Sequence, residues 1–178
     1  MSDQSRRAFV RTLALAAPMF ALPKPGLADA VSTRALRFSH THTGEQLSVE
    51  YFGSGQYWPD ALSAINWLLR DFRTGDVHAI DAGLLDLLHG LATTTDSARP
   101  FQVISGYRSP ATNEMLRHRS EGVAAGSLHM QGQAIDIRLA DVPLVKLKAA
   151  ALSAHRGGVG YYPASDFVHV DIGRVRAW

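Results

Sequence analysis

The sequence contains no cysteine, which removes disulfides, thiolate nucleophiles and sulfur-ligated zinc sites together. A chain without thiols has nothing to oxidise, so the absence is compatible with an exported protein. Excess charge is missing too, outside one short region. The first 30 residues hold four of the 18 basic side chains (Arg6, Arg7, Arg11, Lys24) and two of the 16 acidic ones (Asp3, Asp29), which leaves 14 of each in residues 31–178. A segment with no net charge lacks the basic footprint that a phosphate backbone requires, so no nucleic-acid partner is expected. Long apolar runs are also lacking. Residues 13–22 are apolar but interrupted by Pro18, and they fall short of the roughly 20 residues of a permanent membrane anchor. There is no internal repeat and no low-complexity segment.

What is there begins with a leader. Ser5-Arg6-Arg7-Ala8-Phe9-Val10 is a twin-arginine pattern, the broken apolar stretch follows it, and Ala28-Asp29-Ala30 is an A-x-A cleavage signal. That order predicts a Tat signal peptide over 1–30, a mature chain from Val31 and a periplasmic location. Residues 31–178 fit one domain, and a hydrophobic content of 46% is enough for a core without staples.

Within that domain, residues 35–51 alternate around the turn-like His42-Thr43-Gly44-Glu45, which predicts a hairpin. His40 and His42 share one face and are candidate ligands. With no carboxylate at short spacing they read instead as an exposed strand-end pair. Pro59-Asp60 opens a helix with Leu62, Ile65, Leu69 and Phe72 at helical spacing, leaving Arg70, Asp71 and Arg73 on its solvated face. Asp81 caps a second helix through Leu84, Leu85, Leu88 and Leu91. Residues 101–105 read as a strand that runs into Gly106-Tyr107-Arg108-Ser109-Pro110, where Ser109 caps and Pro110 begins a third helix. Arg108 therefore stands at a strand-to-helix corner, and a guanidinium held there can grip a carboxylate through two parallel hydrogen bonds. Residues 143–154 make a fourth helix. Gly157-Gly158-Val159-Gly160 leads into a strand without the spacing or following helix of a phosphate loop.

The chemistry concentrates in Ser127-Leu128-His129-Met130-Gln131-Gly132-Gln133-Ala134-Ile135-Asp136. His129 and Asp136 are both acceptable zinc ligands, with a glycine and an alanine between them where bulk would block close approach. Residues 133–139 alternate so that Asp136 and Arg138 face away from Ile135, Ile137 and Leu139, towards a cleft. Zinc held with a position open to water needs a third protein ligand. His169 supplies a candidate: in Phe167-Val168-His169-Val170-Asp171 it shares a face with Phe167 and Asp171, opposite Val168 and Val170.

These stretches, together with Ser105-Gly106-Tyr107-Arg108-Ser109, Leu69-Arg70-Asp71 and the glycine-rich run through Tyr161-Tyr162-Pro163, resemble the zinc D-Ala-D-Ala carboxypeptidases and hedgehog-type metallopeptidases, and within them the Tat-exported YcbK-like murein endopeptidases. The resemblance covers nearly all of residues 31–178. It implies an α+β fold in which an antiparallel sheet carries the metal and helices pack on its other face. It implies His129, Asp136 and His169 as zinc ligands, Arg108 and Ser127 as substrate contacts, and a peptide bond of peptidoglycan as target. The wider group places an acidic general base three residues before the last histidine, a slot held here by Asp166. Asp171 is the rival, as base or as the partner of a ligand histidine. A D-alanyl-D-alanine carboxypeptidase and a non-catalytic wall-binding module are the alternative functions.

Overall fold

The computed structural model describes residues 33–119 and 122–178; the leader lies outside them. The chain opens with β1 (Arg34–His40) and β2 (Gln46–Gly53), the expected hairpin, and adds a short β3 (Gln56–Tyr57). Helices α1 (Pro59–Leu68) and α2 (Ala82–Thr95) follow, and the Asp81 carboxylate caps α2 by accepting from Gly83 N. Next come β4 (Phe101–Ser105), α3 (Pro110–Arg117), β5 (Ala134–Leu139) and α4 (Leu144–Ala154). The chain closes with β6 (Gly158–Tyr162), β7 (Phe167–Asp171) and β8 (Arg176–Ala177).

The fold is α+β. The eight strands form one open sheet in the order β3-β2-β1-β4-β5-β7-β6-β8. It departs from a purely antiparallel sheet at two places, β1 beside β4 and β6 beside β8, which are parallel. Parallel neighbours need a crossover, and here α1 and α2 supply the first and β7 the second. Helix α1 packs on β2, α2 on β1, and α4 on β5, β6 and β7. The sheet contributes Leu36, Phe38, Val103, Ile137, Val168 and Val170 to the core beneath them. Each such side chain contributes about 1.5–3 kcal/mol when fully buried.

Two expectations about the scaffold change. Helix α1 stops at Leu68, although Leu69 and Phe72 continue its spacing, and Asp71 is buried rather than solvated. Its carboxylate accepts from Ser109 N at 2.9 Å and Ser109 Oγ at 2.7 Å, so it ties the start of α3 to the end of α1. Burial alone would raise the Asp71 pKa, but hydrogen bonds from Thr112, Ser109 and Arg73 hold it below the ordinary value. Likewise His40 is buried: its Nδ1 accepts from the backbone N–H groups of His42 and Thr43 and so closes the hairpin turn.

Candidate metal centre

The outer face of the sheet is built from alternation plus one irregularity. In β5 and β7, Asp136 lies directly opposite His169 while Ile135 and Ile137 pair with Val170 and Val168 on the core side. A bulge between Val103 and Ser105 then turns Ser105 onto the outer face, opposite Asp136. On the far side β6 places Gly160 beside His169 and presents no side chain there. A Cβ on Gly160 would lie 2.8 Å from both Trp178 and Tyr162, so glycine is what lets these rings close over the site.

His129 arrives from a separate segment. It sits in a single turn of 3-10 helix (Leu128–Gln131) that Ser127 caps, its Oγ accepting from His129 N at 3.4 Å. Gly132 ends that turn at φ +66, and a Cβ there would collide with Ala79 O. Arg108 N donates to His129 O at 3.2 Å, which fastens this segment to the corner after β4.

Three atoms able to ligate a metal converge from these elements. His129 Nε2 is 3.3 Å from Asp136 Oδ1, His169 Nδ1 is 2.8 Å from the same oxygen, and the two nitrogens are 3.2 Å apart. Ligand bonds of 2.0–2.1 Å in a tetrahedron put ligand atoms about 3.3 Å from one another. The triangle thus has close to the dimensions of one face of a zinc tetrahedron.

The atoms behind the triangle fix which nitrogen each ring presents. His129 Nδ1 donates to Gly106 O at 2.7 Å, leaving Nε2 to the site. Gly106 permits this because its own Cβ would stand 2.5 Å from Leu69 O. His169 Nε2 donates to Asp171 Oδ2 at 3.2 Å, leaving Nδ1 to the site. Asp171 is fully buried and accepts from Gly158 N, Gly173 N and both terminal nitrogens of Arg176. Burial pushes its pKa up, but the His169 and Arg176 hydrogen bonds and the two backbone amides outweigh it and hold the group far below the ordinary carboxylate range. For His169 burial opposes charge, yet hydrogen bonds to Asp136 and Asp171 raise its pKa to about 9. Asp136 is itself held well below the usual value: desolvation opposes ionisation, and the two imidazoles overcome it. Two carboxylates around one imidazole call for positive charge at this point, which a divalent cation also provides.

The triangle forms part of the floor of a cleft of about 350 Å³, walled by Arg108, Ser127, Tyr162, Phe167 and Trp178. Tyr162 and Phe167 stack at 4.5 Å, and Trp178 Nε1 donates to the Tyr162 hydroxyl at 2.7 Å. Arg108 is buried beside Asp136, with Nη2 3.6 Å from Asp136 Oδ2. Its contacts to Asn113 and Ser105 are both long, at 3.4 Å, and its Nε has no partner among the described residues. A buried guanidinium with that much donor capacity to spare is suited to an incoming carboxylate or carbonyl oxygen.

His129, Asp136, His169, Arg108 and Ser127 are therefore brought together. Asp166 is not. It ends a turn of 3-10 helix (Pro163–Ser165) in the left-handed conformation, φ 53, and its Oδ2 accepts from Arg138 Nη1 at 2.8 Å. Its neighbours Ser165 and Phe167 line the cleft while Asp166 lines the next depression along the sheet. Strand alternation alone would put Asp166 on the face opposite His169; the turn instead brings its carboxylate to Arg138 on the outer face, but not among the residues that line the cleft. The sequence reading missed Arg176, which opens β8, and Trp178, which directly follows it. Two residues of strand show no alternation, and the glycines at 158 and 160 that make room for them were the available signal.

Comparison with known proteins follows the same stretch of chain. The family model for peptidoglycan L,D-endopeptidase MepK matches residues 28–178. The probable peptidoglycan L,D-endopeptidase MepK of Haemophilus influenzae is 43% identical over 180 residues, spanning 99% of this chain and 96% of its own. The peptidoglycan L,D-endopeptidases MepK of Escherichia coli K12 and of Shigella flexneri are each 41% identical over 179 residues, spanning 99% of this chain and 98% of theirs. On a match of that length and identity, the chain belongs to the peptidoglycan L,D-endopeptidase MepK family of M15 peptidases.

Proposed function

We propose that this protein is a zinc-dependent endopeptidase of the periplasm that hydrolyses peptide cross-links or stem peptides of peptidoglycan, with His129, Asp136 and His169 as the metal ligands. The observation that carries the reading is the His-Asp-His triangle of near-tetrahedral edge lengths on the floor of the same cleft as Arg108. The family relatives are named for L,D-endopeptidase activity on this polymer, which supports the same substrate here.

A zinc ion held by the three residues supplies Lewis acidity for peptide hydrolysis. The chain's own groups do the rest. Gly106 O and Asp171 keep both imidazoles in the ligating tautomer. Arg108 holds a substrate carboxylate or the oxyanion that develops at the scissile carbonyl. The Ser127 hydroxyl, at the cleft wall, is within the reach of the same peptide, and Tyr162, Phe167 and Trp178 exclude water from one side.

Purified protein incubated with cross-linked muropeptides, with and without chelator, and read by mass tests the reading. Chelator-sensitive release of uncross-linked or shortened stems supports it. Loss of a terminal D-alanine alone would identify a carboxypeptidase, and no product would leave a wall-binding module. Within that assay Arg108→Lys keeps the charge and loses the planar fork. It should lower kcat/KM by about 10- to 100-fold, roughly 1.4–3 kcal/mol, with zinc content unchanged. An unaltered rate would return Arg108 to a structural role.

The twin-arginine leader supports export by the Tat route. Lysine at both Arg6 and Arg7 should strand the precursor in the cytoplasm; mature protein still reaching the periplasm would point to the ordinary secretory path.

A further inference from the structure

Strand β5 presents a second charged side chain to the outer face. Arg138 lies two residues beyond Asp136, about 7 Å further along the strand, and the register sets Gln102 of β4 beside it. Its Nε donates to Gln102 Oε1 at 2.6 Å and its Nη1 to Asp166 Oδ2 at 2.8 Å. Nη2 makes no hydrogen bond among the described residues. Arg138 lines a depression of about 610 Å³ together with Gln102, Asp166, Asp141, Pro143 and Leu144. Near neighbours in the chain line the two: Asp136 and Phe167 the cleft, Arg138 and Asp166 the depression.

We propose that Arg138 is a second carboxylate-recognition residue, taking a free carboxylate of the stem peptide two residues from the scissile bond, and that Asp166 is the counter-ion which this carboxylate replaces. The inference rests on the activity proposed above and adds to it the chemistry of a neighbouring subsite. An extended peptide advances about 7 Å over two residues, so a substrate lying along β5 with its reacting carbonyl at the triad brings that carboxylate over Arg138. Gln102 fixes the guanidinium through Nε, which leaves the two terminal nitrogens as an outward fork of the geometry that a carboxylate meets bidentately. The Asp166 side chain is 64% exposed, and an ion pair in water contributes little, so the exchange meets little resistance. The same arrangement gives Asp166 a role that does not require it to reach the metal.

The test uses the zinc-loaded protein and two cross-linked muropeptides that differ only in whether the stem-peptide carboxylate is free or amidated. The wild type should prefer the free acid. Arg138→Gln should raise KM for the free acid by about tenfold and erase the preference, with kcat little changed and zinc content unaltered. Arg138→Lys, which keeps the charge without the fork, should fall between them. Asp166→Asn should lower KM by removing the competing carboxylate. The inference is overturned if Arg138→Gln and Arg138→Lys keep both the wild-type KM and the preference. It is also overturned if Asp166→Asn loses about 10²–10⁴ in kcat with zinc bound, the mark of a general base. Should the wild type cleave neither muropeptide, the endopeptidase reading falls and takes this subsite with it, a result distinct from either of the others.

Discussion

His169→Ala should yield a folded protein that holds no stoichiometric zinc and releases no product from cross-linked muropeptides. The imidazole supplies one vertex of the triangle and also the link through which Asp171 and Arg176 reach the site. The two proposed ligands that remain, His129 and Asp136, would not make the three-ligand set that keeps zinc with one open position. His129→Ala and Asp136→Ala should behave alike. The core lies on the other side of the sheet, beneath Val168 and Val170, so far-ultraviolet circular dichroism should change only modestly. Zinc retained at one equivalent together with turnover in His169→Ala would place the third ligand elsewhere in the chain.

Asp171→Asn should act one shell further out. The buried carboxylate accepts a hydrogen bond from His169 Nε2 and is itself held by Gly158 N, Gly173 N and Arg176. An amide of the same shape can still accept through one oxygen, but its NH2 faces donors, and Arg176 loses its counter-charge. The ring of His169 is then less firmly oriented and less basic. Zinc affinity should fall by about 10- to 100-fold, and excess zinc should restore much of the activity. Arg176 also loses its partner, but its side chain is about a third exposed (31%) and can turn to water, so the melting temperature of the metal-free protein should drop only modestly. A variant that binds zinc normally yet stays inactive at saturating metal would mean that Asp171 handles a proton rather than positioning a ligand.

Those residues differ in how far the sequence alone could place them. The caps of α2 and α3 were readable because Asp81 and the Ser109-Pro110 pair act locally. The outward direction of Asp136 and of His169 was readable from period-two alternation, but not the register that puts them opposite each other, which strand pairing decides. Where tertiary contacts override local pattern, sequence reasoning failed. Leu69 and Phe72 extend the spacing of α1, yet the chain leaves the helix so that Asp71 can hold Ser109. His40 does end β1, but it is buried rather than exposed, its ring packed against Phe72, a contact that the strand's own sequence does not show. Asp166 occupies a position that family resemblance makes a general base, and the left-handed turn and Arg138 give it another neighbour. The wall formed by Arg176 and Trp178 was invisible for a similar reason: it depends on a two-residue strand joining an edge that glycines have cleared.

The central claim is that one zinc ion, held by residues from two distant segments, is what makes this cleft a peptidase. Titrating zinc into the chelated protein while following cleavage of cross-linked muropeptides tests it most directly. Activity should start at background, rise in proportion to added metal and level off at one equivalent, with His169→Ala flat throughout. Full activity in the chelated protein, or a plateau reached without stoichiometric zinc, would contradict the account.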